Sequence, residues 1–122
     1  MLRATLLAFL LLAPLAAHAH EPRIGPRGGA LVDAGPHHVE VVPAPGGLDV
    51  FVSDANDRPL PATGFRGIAI LAVGGKPLRI PLEPRQPDRL SGPATLPAGE
   101  ALKGVIQLTA PDGRTATARF GQ

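Results

Sequence analysis

The chain has 122 residues with no cysteine, tryptophan or tyrosine, and 12 Lys and Arg stand against 10 Asp and Glu. That length supports one domain with one core. The interspersed, nearly balanced charges exclude the clustered basic face of a nucleic-acid binder. The lack of cysteine excludes disulfide stapling, thiolate metal ligands and a cysteine nucleophile.

Residues 1–19 follow the three-part plan of a secretory signal. Arg3 supplies the positive start, Leu6 to Leu15 is apolar apart from Pro14, and Ala17-His18-Ala19 is a small-x-small cleavage site. The apolar run is shorter than the roughly 20 residues a membrane-spanning helix needs, and no later segment is long enough. The expectation is a periplasmic or secreted protein with no membrane span after cleavage. Its mature chain then begins at His20.

Residues 20–29 (HEPRIGPRGG) hold two prolines and three glycines without a period, which reads as a flexible N-terminal arm. From residue 30 to residue 122, short apolar runs alternate with turn residues. Candidate strands are Ala30–Asp33, His37–Val42, Leu48–Ser53, Arg66–Val73, Lys76–Leu82, Leu90–Leu96, Leu102–Ala110 and Thr115–Phe120. Gly74-Gly75 is a two-residue hairpin turn. It pairs Val73 with Lys76, Leu71 with Leu78 and Ala69 with Ile80. Leu71, Ala69, Leu78, Ile80 and Leu82 then share a core face, while Ile68, Ile70 and Ala72 lie opposite. Pro77 and Pro81 place their strand at an edge, because each removes a ladder donor. The chain carries 15 Pro and 15 Gly and has no 3.6-residue stripe, which argues against long helices. Seven to eight short antiparallel strands fit an all-β, immunoglobulin-like β-sandwich, with a small β-barrel as the alternative.

The concentration of potential metal ligands lies near the start of the mature chain. His20 at a new N-terminus offers an α-amine and an imidazole to one ion. Imidazole suits Cu, Zn and Ni. In the strand from His37 to Val42 side chains alternate, so His38 and Glu40 share a face and His37 points the other way. A His and carboxylate about 7 Å apart along a strand can converge on one ion. A plainer reading stands beside this one. His38 and Glu40 also fit a solvated face, His37 fits a partly buried ring, and His20 fits an incidental residue after the cleavage site. Asp54, Asn56 and Asp57 lack calcium-loop spacing and read as a turn. Neither serine sits in a nucleophile elbow, so catalysis is not expected.

The order of motifs resembles that of small exported proteins and modules associated with heavy-metal efflux, including segments of periplasmic adaptor subunits. The motifs are Gly25-Pro26-Arg27-Gly28-Gly29, Gly35-Pro36-His37-His38-Val39-Glu40, the strand ending Asp54-Ala55-Asn56-Asp57, Gly74-Gly75-Lys76, Asp88-Arg89-Leu90-Ser91-Gly92 and Ala118-Arg119-Phe120. Arg27 stands where the pattern has histidine, and a guanidinium cannot ligate a metal. A looser similarity is to the CopC-like copper carriers, which are β-sandwiches using an N-terminal histidine. These resemblances imply a divalent metal, Cu(II) or Zn(II), held by His20, His38 and Glu40 with His37 as the alternative ligand. They also imply an efflux adaptor or other envelope protein as partner. The rival expectation is a non-catalytic interaction module that docks through an exposed sheet face carrying Ile68, Ile70 and Ala72.

Overall fold

The computed structural model describes residues 23–85 and 87–121. Within them the chain forms nine strands: β1 (Arg23–Ile24), β2 (Ala30–Ala34), β3 (His37–Ala44), β4 (Gly47–Ser53), β5 (Arg66–Val73), β6 (Lys76–Arg85), β7 (Arg89–Pro93), β8 (Gly104–Thr109) and β9 (Thr115–Phe120). They make one antiparallel sheet in the order β1-β2-β3-β4-β7-β6-β5-β8-β9. No helix occurs among the described residues. The all-β, antiparallel expectation therefore holds, with nine strands in one curled sheet in place of two separate layers.

The long strand β6 is the joint. Its first part, Lys76 to Leu82, pairs with β5, and its last part, Glu83 to Arg85, pairs with β7. The sheet curls until β2 lies against β9. The curl is tight at the β2–β3 turn, where a Cβ on Gly35 would lie 3.0 Å from that of Ala116. Inward side chains from both halves fill one core, including Val39, Val50, Leu71, Ile80, Ile106 and Phe120. Burying each of these apolar side chains contributes about 1.5–3 kcal/mol.

The Gly74-Gly75 hairpin has the expected register, Val73 to Lys76 through Gly67 to Leu82. Both turn glycines have positive φ, 56° and 75°, as the tight primed turn demands. Ala69, Leu71, Ile80 and Leu82 are buried, so the core face is the expected one. The edge expected from Pro77 and Pro81 is only local. On the side away from β5, strand β6 has no partner until Glu83, beyond both prolines. From there the strand exchanges its β5 partner for β7, which crosses back to β4.

Of the expected arm 20–29, residues 23–29 are described, and they are tied to the sheet. Arg23 and Ile24 pair with Leu31 and Ala30. Gly25 to Gly29 close a compact loop through Gly25 N–H donating to Gly29 C=O at 2.8 Å and Gly28 N–H to Gly25 C=O at 3.0 Å.

Candidate functional site

Two polar clusters lie on the outer face of the sheet half built from β1 to β4 and β7. The residues that build them come from neighbouring register positions. Asp33 of β2 sits opposite His38 of β3, and Leu31 sits opposite Glu40. Glu40 in turn sits opposite Phe51 of β4, and Phe51 opposite Arg89 of β7.

The first cluster surrounds Glu40, which is 2% exposed. Its Oε2 accepts the backbone N–H groups of Arg27 at 2.8 Å and Gly29 at 2.9 Å, and Arg27 Nη1 approaches Oε1 at 3.5 Å. A buried carboxylate is costly unless such donors meet it. The 25–29 loop supplies them. The seat is so close that glycine is required. A Cβ on Gly25 would fall 2.3 Å from the Glu40 carboxyl carbon, and one on Gly29 would fall 2.3 Å from the Val41 carbonyl oxygen. Arg27 then folds over the loop. Its guanidinium carbon lies 3.6 Å from the Phe51 ring centroid, and Nη2 donates to Asp88 at 3.0 Å.

The second cluster surrounds His38, whose side chain is 15% exposed. Nδ1 lies 2.6 Å from Asp57 Oδ1, and Nε2 lies 3.2 Å from Asp33 Oδ1. A carboxylate thus faces each ring nitrogen. The arrangement suits two N–H donors, or one N–H and one cation. Asp33 also accepts Arg23 Nη2 at 2.6 Å. The turn that delivers Asp57 is organised by Asp54, whose Oδ1 accepts the N–H groups of Asn56 and Arg58 at 2.8 and 3.0 Å. The hydrogen bond from Arg58 is the main cause holding the Asp54 carboxyl below its ordinary value. Asp57 adopts φ 60°, a left-handed conformation that aspartate tolerates better than most residues.

The expected ligands are therefore distributed. His38 stands in the carboxylate corner. Glu40 shares its face of β3, but its carboxylate is occupied by the loop. His37 points to the other side, edge-on to Phe65 with ring centroids 5.3 Å apart. His20 lies outside the described residues. Among the described residues, no three His, Cys, Asp or Glu side chains group so as to hold a metal ion. The residues that sequence reasoning passed over are Asp33 and Asp57 at the corner, and Arg27, Phe51 and Asp88 around the loop. Arg27, at the histidine position of the motif, clamps Glu40 and Phe51.

Between the two clusters runs a depression of about 360 Å³, lined by Ile24, Arg27, Phe51, Ser53, Asp57 and Asp88 among others. Compared with known protein families, curated proteins and solved structures, the chain matches none.

Proposed function

We propose that the protein is an exported, non-catalytic carrier of a divalent transition metal, Cu(II) or Zn(II), accessory to a metal-efflux system. The observation that carries this reading is the His38 ring set between Asp33 and Asp57 at the end of the sheet from which β1 enters. Arg23 pairs with Leu31 and Ile24 with Ala30, so Arg23 is the end of β1 nearer the Asp33–His38 corner. Three extended residues reach about 10 Å. That span is enough to bring the α-amine and imidazole of His20 to the corner after cleavage behind Ala19.

The proposed ligands are His38 Nε2, the Asp33 carboxylate and His20. Imidazole nitrogen, amine and carboxylate oxygen suit Cu(II) and Zn(II). A cation at Nε2 would be shared between the ring and the Asp33 carboxylate, whose Oδ1 lies 3.2 Å from that nitrogen. Glu40 is not in this set; its role is to anchor the loop beside the site. We also read the curled sheet as an immunoglobulin-like sandwich in outline, with its two halves facing each other across one core.

Calorimetric titration of the mature protein with Cu(II) and with Zn(II) tests the reading. Binding near micromolar is expected, falling about tenfold or more in His38→Ala or Asp33→Asn and unchanged in His37→Ala. It weakens as pH falls, because the imidazole and amine ligands must be deprotonated. Arg23→Gln, which frees Asp33 from its ion pair, is expected to tighten it. No binding near micromolar, or equal binding by a His20→Ala/His38→Ala variant, refutes the proposal.

A further inference from the structure

The outer face of the other sheet half carries a different message. On β6, β5, β8 and β9 the register sets Arg79 beside Ile70, Ile70 beside Val105, and Val105 beside Arg119. One row therefore reads Arg-Ile-Val-Arg across four strands. The next row sets Pro81 beside Ile68 and Ile68 beside Gln107. Ile68, Ile70 and Val105 are half-buried, while Arg79 and Arg119 are exposed. Arg66, also exposed, extends the basic rim along β5.

Among the described residues, none of Arg66, Arg79 and Arg119 has a carboxylate within ion-pair distance. Glu83 stands one residue beyond the Gly67–Leu82 register pair and still makes no ion pair with Arg66. On the opposite half, by contrast, Arg23, Arg27 and Arg89 each meet an aspartate or glutamate. Pairing on that half is not complete, since among the described residues Arg85, beside Arg89, has no ion pair. On the β5–β6–β8–β9 face, however, none of Arg66, Arg79 and Arg119 is paired.

We infer that this face docks an acidic segment of a partner protein, with carboxylates flanking an apolar side chain. Arg79 and Arg119 are three strand spacings apart, about 14 Å. Four residues of extended chain cover about the same distance, so a Glu-x-Leu-x-Glu segment can place one carboxylate on each guanidinium and its leucine over Ile70 and Val105. Arginine favours this task because its fork binds carboxylates bidentately. A second copy of this chain is a poor occupant, since it would oppose arginines to arginines. An anionic membrane is also a poor one. Phe51 lies under Arg27 on the other half, and Phe65 and Phe120 are buried in the core. Among the described residues, therefore, no aromatic is placed on this face to enter the headgroup layer.

The test is an NMR titration of the mature protein with an acetylated, amidated peptide containing Glu-Ser-Leu-Ser-Glu. Saturable shifts at Ile68, Ile70 and Val105 are expected below about 1 mM peptide, weakening as salt is added. Arg79→Gln/Arg119→Gln should weaken binding about tenfold. Arg114→Gln, in the exposed β8–β9 turn, should leave it unchanged. Arg79 and Arg119 hold no internal ion pair and Arg114 only an exposed one with Asp112, so the variants are expected to fold, as the amide spectrum reports. Absence of binding at millimolar peptide, shifts confined to other surfaces, or equal loss with Arg114→Gln overturns the inference. So does binding to phosphatidylglycerol vesicles in place of the peptide.

Discussion

The two outer faces of this sheet solve the same problem in opposite ways. Both present polar and apolar side chains on a surface that faces away from the core. On the β2–β3–β4 side the chain covers its own sheet: the 25–29 loop gives its N–H groups to Glu40, and Arg27 closes over Phe51. On the β5–β6–β8–β9 side it lays nothing over Ile68 and Ile70 among the described residues and leaves the neighbouring arginines unmatched. The difference teaches where to look for internal stability and where for external contact. A buried carboxylate with three donors contributes to folding. An unmatched guanidinium beside a flat apolar row contributes little to folding and remains available for association.

That contrast can be broken experimentally, and the largest effect should come from Glu40. Replacing it with alanine orphans two buried N–H groups and the loop they anchor, so urea unfolding should register a loss of about 3 kcal/mol. A value as small as a surface substitution would mean that the loop is held by something else. Arg27→Ala comes next, at about 1 kcal/mol, because the exposed part of its ion pairing is screened while the contact with Phe51 is not. On the bare face, Arg79→Gln should stay within about 0.5 kcal/mol of the parent. A larger loss there would erase the distinction between the faces.

The smallest effect is confined to acid. Asp54 is held below its ordinary value of 3.8 mainly by the Arg58 N–H, so its ionised form is favoured in the folded protein. Its contribution is present above the ordinary value and is lost as pH falls through the lower folded value. Asp54→Asn should therefore flatten the decline in stability below about pH 4, as followed by thermal unfolding across pH. An unchanged acid slope would remove the turn from the account.

Much of the sheet is legible in the sequence because its pattern is local. Alternation from Leu48 to Ser53 and the Gly74-Gly75 turn set faces and register without knowledge of distant strands. The corner is legible too, by the same arithmetic: a two-residue turn at Gly35-Pro36 puts Ala34 opposite His37 and Asp33 opposite His38. Pairing His38 with Glu40 by spacing alone overlooked that a shared face does not make shared surroundings. The 23–29 segment could not be read this way. The backbone hydrogen bonds of its 25–29 loop run within the loop and to the one side chain of Glu40, leaving no period to detect. Nor does local pattern reveal the return of β7 to β4, which makes the two-layer expectation a continuous sheet.

That return also governs when the protein can become itself. Ser91 reaches Asp49 across 42 positions of chain, and strand β4 has no neighbour on that side until β7 arrives. A chain that emerges N-terminus first from a ribosome or a translocation pore must hold this unpaired edge exposed while residues 54–88 follow. Folding should accordingly be slow for its size, since distant pairing must be closed before it is rewarded. The vulnerable interval is the time between the appearance of β4 and that of β7, when another strand could take the place reserved for it.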